Sequence, residues 1–402
     1  MRIVVAPDKF KDALDARDVG DAIADGIRTV EADADLSVVP MADGGEGTLE
    51  AAIAAGFSAV PVTVTGPLGA PVEAAFARQG STAVIELARA SGLALVPRAH
   101  RDALAATSRG TGELVAAALN DGATSIILAV GGSASSDGGA GMLAALGARL
   151  LDAQGDPLPD GGGALRLLER IELDRLDPRL ERVRFTLACD VDHVLLGPRG
   201  AASVFAPQKG ASVADVAHLE LGLTRFARLL ESALARRVGH DEVQRFAERP
   251  GAGAAGGVGF AALSVLGALQ RPGVDVVCEL TRLRAHLAGA DLVITGEGSF
   301  DSQSLGGKTP MGVRRAAATL GIPTVAVCGR STLTEAEWRA AGFSACYATM
   351  ERAPDRAASM RDARAYLIEI GAEIARRSPV AGSGGSAIGS VGGVVDRDGA
   401  RR

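Results

Sequence analysis

What most constrains this chain is a recurring unit: a short, unbroken apolar run ends in a loop of glycines and charged residues, and a helical segment follows. Residues 2–6 run into Pro7-Asp8-Lys9-Phe10-Lys11, and residues 36–41 into Ala42-Asp43-Gly44-Gly45-Glu46-Gly47-Thr48. Residues 124–130 end at Gly131, residues 291–295 at Gly296-Glu297-Gly298, and residues 323–328 at Gly329. Such runs have no polar face to offer water, so both faces must be covered, and their alternation with helices predicts a parallel sheet. Residues 345–349 add a further strand. Helices are expected over 15–30, where Val19, Ile23 and Ile27 recur four residues apart, and over 49–55.

The middle of the chain has a different rhythm. Residues 60–65, 72–78 and 82–87 are alternating runs separated by Gly66, Gly69 and Gly80, the pattern of antiparallel strands. They predict a second, mixed domain that also holds a strand at 184–188 and helices at 143–151 and 213–237. Because parallel-sheet units occupy both ends of the chain, the expected class is α/β with two domains. One is formed by 1–65 with 282–378, and the other is inserted over 66–281. The Gly/Ser-rich residues 379–402 read as a disordered tail.

With 402 residues, 47% hydrophobic and 22% charged, the chain can bury more than one core. A net charge of −6 provides no general attraction to nucleic acid or acidic lipid, so a small-molecule partner is expected rather than nucleic acid or membrane. The N-terminal apolar run is too short for a signal peptide and no other run is long enough to span a bilayer, which points to the cytoplasm. Cys189, Cys278, Cys328 and Cys346 form no CxxC pair, and no histidine stands at zinc-ligand spacing.

The richest chemistry lies in the loop after residue 130. It offers Gly131, Gly132, Gly138, Gly139 and Gly141, the hydroxyls of Ser133, Ser135 and Ser136, and the carboxylate of Asp137. Backbone N–H groups and hydroxyls in such a loop can converge on a phosphate or carboxylate. Named nucleotide motifs are not met. Gly251-Ala252-Gly253-Ala254-Ala255-Gly256 follows Arg249-Pro250 rather than a strand and reads as a flexible loop, and Gly306-Gly307-Lys308-Thr309 has Ser302 where a P-loop needs glycine. Lysines and acids nevertheless gather after expected strands: Asp8, Lys9 and Lys11; Asp43 and Glu46; Asp190 and Asp192; Glu297, Asp301 and Lys308. Arg199 and Lys209 follow Asp190 in one segment, and Asp190 is the preferred acid there. Lysines neutralise phosphate oxygens, while carboxylates hold Mg²⁺ or accept a proton.

Six blocks, in order, resemble the type I glycerate kinases, the bacterial glycerate 2-kinase family. They are APDKFK at 6–11, MADGGEGT at 41–48, GGSASSDGGAGML at 131–143, CDV with GPRGAASVFAPQKGA within 189–211, GAGAAGGVGF at 251–260 and ITGEGSFDSQSLGGKTPMGV at 294–313. The resemblance implies a flavodoxin-like (Rossmann-like) domain carrying the inserted one, with the active site between them. It also implies phosphorylation of D-glycerate at the 2-position with ATP and Mg²⁺. In that light, Gly131, Gly132, Ser133, Ser135 and Ser136 hold the glycerate carboxylate or the transferring phosphoryl group. Lys9 and Lys11 balance phosphate charge, and Arg199, Lys209 and Lys308 add substrate or phosphate contacts. Asp190 is base or metal ligand, Asp137 another candidate base, and Asp43 and Glu297 candidate Mg²⁺ ligands. A homo-oligomer remains open. So do a kinase for the 3-hydroxyl or for a related small hydroxy acid, and a non-catalytic binder of an anionic metabolite.

Overall fold

The computed structural model describes residues 1–238 and 245–377. The tail expected over 379–402 lies outside the described residues. In chain order the strands are β1 (Arg2–Pro7), β2 (Asp35–Val38), β3 (Ser58–Thr65), β4 (Pro71–Gln79), β5 (Thr82–Glu86), β6 (Ser125–Ala129), β7 (Arg149–Leu151), β8 (Arg170–Glu172), β9 (Arg184–Ala188), β10 (Leu269–Arg271), β11 (Leu292–Phe300), β12 (Thr324–Ser331) and β13 (Ala345–Ala348).

Five of them form a wholly parallel sheet in the order β13-β12-β11-β1-β2. Counted along the chain this is the doubly wound order 2-1-3-4-5 of flavodoxin-like folds. β1 shows why an unbroken apolar run is needed at its centre. Ile3 and Val5 pack with Val19, Ile23 and Ile27 and with Leu367, Ile370 and Ile374 of the helix Ala363–Arg377. Val4 and Ala6 face the other way, onto Val277, Leu283, Leu287 and Val313. The helix Ala16–Arg28 begins at Asp15, whose side chain accepts the Asp18 N–H at 2.8 Å, and its four-residue apolar spacing covers the sheet.

The second sheet runs β10-β9-β6-β5-β4-β3, parallel from β10 to β5 and antiparallel from β5 through β4 to β3. The change of sheet falls earlier than the boundary expected near residue 65. Ser58–Thr65 pairs along its length with Pro71–Gln79, as its alternating pattern suits for an edge strand. At the other end, the helix Gly273–Leu280 already packs on the first sheet through Val277, ahead of residue 282.

Two local readings are corrected. The run 143–151 is not one helix: the helix Ala140–Ala145 stops, Gly147 takes φ +105°, and Arg149–Leu151 pairs with β8. A Cβ at Gly147 would collide with the Arg175 carbonyl, so this tight exit depends on glycine. The segment 251–256 is not a loose loop either. It enters a sharp left-handed turn at Ala255, Gly256 and Gly257, with φ +53°, +67° and +94°, ahead of the helical residues that end at Ser264, and the Gly256 carbonyl accepts the Gly138 N–H at 2.9 Å.

Candidate active site

The C-terminal ends of β1, β6 and β9 and the loop after β2 converge on a cleft of about 950 Å³. Two of the loops that line it meet backbone to backbone. A Cβ on Gly131 would lie 2.5 Å from Gly45 Cα, so the loops after β6 and β2 can touch only because both carry glycine there.

On the side of the parallel sheet, Asp8 is buried at the end of β1. Its Oδ2 accepts from Thr309 Oγ1 at 2.7 Å, and its Oδ1 accepts the Lys9 N–H at 2.7 Å. Burial, with repulsion from Asp43, pushes its carboxyl up to about 6. Lys9 Nζ donates to the Glu46 carbonyl at 2.5 Å and lies 3.8 Å from Asp8 Oδ1. Burial opposes the Lys9 charge, but Asp8, Asp43, Glu46 and Glu86 outweigh it and hold the ammonium above its ordinary value. Lys11 is exposed at the same edge and also lines the cleft.

On the opposite side, Ser133 Oγ accepts from Lys209 Nζ at 2.8 Å, and the Ser135 carbonyl accepts from the same ammonium at 2.5 Å. Lys209 is 2% exposed, and burial drives it down to about 7 against the pull of Asp137. Asp190, just beyond β9, faces the cleft while its Oδ1 accepts the Gly273 N–H at 2.7 Å. Desolvation, with Asp43 and Asp275 adding repulsion, pushes it up to about 7, close to where a general base works best near neutral pH.

The structure separates candidates that look alike in sequence. Lys9, Lys11, Asp43, Gly131, Gly132, Ser133, Asp190 and Lys209 line one cleft. Glu297 and Lys308, 3.8 Å apart, line a groove joined to it through Lys9, Lys11 and Asp43. Asp137 does not line either. Its carboxylate is fully buried and accepts from Ser108 N and Oγ at 2.8 Å each, Gly139 N at 3.0 Å and Gly141 N at 3.2 Å. Its oxygens are committed to four donors that tie the loop to Ser108 and to the start of the helix Ala140–Ala145. Ser135 and Ser136 are buried behind the loop, their hydroxyls without partners among the described residues. Arg199 is exposed, 3.7 Å from Asp192, and lines neither cavity.

Sequence reasoning passed over Arg101, which lines the cleft and donates to the Gln208 carbonyl at 3.1 Å. Its only signal is a small basic cluster with Arg98 and His100 after Pro97. It also missed Glu86, a lone acid closing an apolar strand. Glu86 is 2% exposed and takes the Gly47 and Leu49 N–H groups at 3.1 and 3.0 Å, joining β5 to the start of the helix Thr48–Ala54. Burial pushes its carboxyl up to about 7.

The carboxylates also bear on metal binding. Glu297 Oε1 is buried without a partner among the described residues, and burial pushes the group up to about 7. Asp8 and Asp43 add to its repulsion. A divalent cation would relieve that crowding, so Asp43 and Glu297 fit Mg²⁺. No cluster of three or more candidate ligands occurs among the described residues; Mg²⁺ at nucleotide sites takes one or two carboxylates and completes its shell with phosphates and water.

A flavodoxin-ordered sheet presenting lysines and carboxylates to a glycine–serine loop defines an α/β enzyme of small-anion chemistry. Residues 3–378 match the model of the glycerate kinase family. The chain is 48% identical over 335 residues to the glycerate 2-kinase of Escherichia coli K12, covering 83% of this chain and 86% of that one. It is 46% identical to the glycerate kinase of Bacillus subtilis 168, covering 82% and 85%. A crystal structure described as a glycerate kinase 2 from Salmonella typhimurium LT2 superposes with a TM-score of 0.78 at 42% identity, covering 94% of this chain and 97% of that one. The chain belongs to the glycerate kinase family. No helix among the described residues is long and apolar enough to cross a membrane.

Proposed function

We propose that the protein transfers the γ-phosphoryl group of ATP to the 2-hydroxyl of D-glycerate, in the cleft between its two sheets. The observation that carries this reading is the single cleft in which the Gly131–Ser133 loop and Lys209 face Lys9, Asp43 and Asp190. The two sheets then act as two domains with the reaction at their junction.

Lys209 and Ser133 hold the glycerate carboxylate, which in turn favours the charged form of an ammonium that burial otherwise weakens. The 2-hydroxyl points to Asp190. As its oxygen bonds to the γ-phosphorus, the hydroxyl proton passes to the Asp190 carboxylate. The bond from phosphorus to the β,γ-bridging oxygen breaks, and ADP leaves with that electron pair. Lys9, fixed by the Glu46 carbonyl, meets the charge spread over the transferring oxygens. Asp43 and Glu297 would hold Mg²⁺, and the ion would supply positive charge to offset that of the donor phosphates. Regiochemistry is read directly by incubating the protein with ATP, Mg²⁺ and D-glycerate and adding enolase. Immediate consumption of the product identifies 2-phosphoglycerate, whereas a need for added mutase identifies the 3-isomer. Absence of any ATP-dependent product refutes the reading.

A further inference from the structure

A groove of about 460 Å³ leaves the cleft at Lys9, Lys11 and Asp43 and runs away from the glycine–serine loop. It passes over the C-terminal ends of β11, β12 and β13, beside the point between β1 and β11 where strand order reverses. Open parallel sheets bind ligands at that place.

Its chemistry differs from that of the cleft. Met350 and Met360 give it an apolar wall, and Met350 is 37% exposed despite its size. That wall is held in place from below: Thr349 Oγ1 lies 2.8 Å from Ser359 Oγ and donates to the Gly329 carbonyl at 3.1 Å. The turn bearing Met350, the helix bearing Met360 and the end of β12 are thereby tied together. Lysines and arginines line the rest together with the carboxylates of Asp8, Asp12, Asp43 and Glu297. Arg330 is steered by Ser299 Oγ at 3.1 Å, not by a carboxylate, and Lys11 and Arg356 form no ion pair among the described residues. A three-carbon acid has nothing to set against two methionines. A flat heteroaromatic base carrying a chain of phosphates matches both the methionine wall and the arginines, because thioethers pack well on aromatic rings and arginine forks match phosphate oxygens.

We propose that this groove holds the nucleoside half of the phosphoryl donor, with the base against Met350 and Met360 and the phosphates taken by Arg330 and Arg356. The phosphate chain runs past Lys11 to Lys9, where groove and cleft meet. The assignment rests on the kinase reading above, and its test separates the two. ATP binding with Mg²⁺ is measured by calorimetry for the wild type and for Arg356→Ala, Arg356→Lys and Met350→Asp, alongside KM for each substrate. The side chains changed are solvent-exposed, and circular dichroism verifies the fold. Arg356→Ala and Met350→Asp should weaken ATP binding about tenfold or more, the scale of one charge-assisted contact, while KM for D-glycerate stays within about twofold. Arg356→Lys should recover part of the affinity, since it keeps the charge without the fork. Unchanged ATP affinity, or a loss that falls on D-glycerate, overturns the proposal. A wild type that binds ATP but forms no phosphorylated glycerate defeats the kinase reading alone, and the binding data still decide the groove.

Discussion

Asp137 and Asp190 lie in the loops that follow β6 and β9 of one sheet, yet their surroundings predict opposite consequences for the same substitution. In Asp137→Asn the new amide can offer its oxygen to Ser108 and Gly141, but its NH₂ must then face the Gly139 N–H. One charge-assisted hydrogen bond, worth about 1.5–3 kcal/mol, is lost and a buried donor is left unpaired at about 1–3 kcal/mol. Relief from burying a charge offsets part of this, leaving a net destabilisation of about 2–3 kcal/mol. At about 2–4 °C per kcal/mol for a unit of roughly 200 residues, Tm should fall by about 4–12 °C. Turnover per folded molecule should change far less. Asp190→Asn should do the reverse, keeping Tm within about 2 °C while turnover drops at least ~100-fold, as expected when one positioned acid–base group is removed. Scanning calorimetry and steady-state kinetics on both variants provide the comparison. If Asp137→Asn kept its Tm and lost turnover by ~100-fold, the separation of loop support from chemistry would be wrong.

Glu86, whose carboxyl rises from 4.5 to about 7 on folding, makes stability depend on pH. The folded state holds the extra proton between those values, so the Glu86 contribution is present below about 4.5 and is lost as pH rises through about 7. Glu86→Gln keeps an oxygen for Gly47 and Leu49 and should therefore gain up to about 3 kcal/mol over the wild type at pH 8 and little at pH 4; equal gains in urea titrations at both pH values would contradict this. Lys209→Met retains most of the buried stem but removes the ammonium facing Ser133, so KM for D-glycerate should rise about 10–100-fold with KM for ATP little changed. A rise confined to ATP would place the carboxylate elsewhere. Gly131→Ala forces the two loops apart by way of Gly45; a misplacement of about 1 Å can cost about 100-fold in turnover, and full activity would show that the contact does not position the loop.

The apolar runs were readable because each is buried on both faces, a demand that acts residue by residue within β1, β11 and β12. The glycine–serine loop was readable for a similar reason, since glycines and hydroxyls in one stretch limit what the backbone can bind. What could not be read were choices made by distant partners. Asp137 is withdrawn from the cleft by Ser108, 29 residues away, while Asp190 is steered by Gly273, 83 residues away. Gly147 ends a run that periodicity alone would continue, because the Arg175 carbonyl occupies the space a Cβ needs. Arg199 carries the charge of a phosphate ligand, but its loop points it at Asp192 and solvent.

The register of β1 also dictates an order of assembly. The strand is flanked by β2 and by β11, whose paired residues lie some 289 positions downstream at Ile3 and Leu292. Every strand of the six-stranded sheet, in contrast, comes from the stretch between Ser58 and Arg271. During synthesis that stretch can close its sheet while β1 still lacks one neighbour and the helix Ala363–Arg377 that covers it. Domains fold as units as they emerge, and distant pairings form late. The inserted sheet is thus the one that can mature first, and the parallel sheet, although it begins the chain, is completed last.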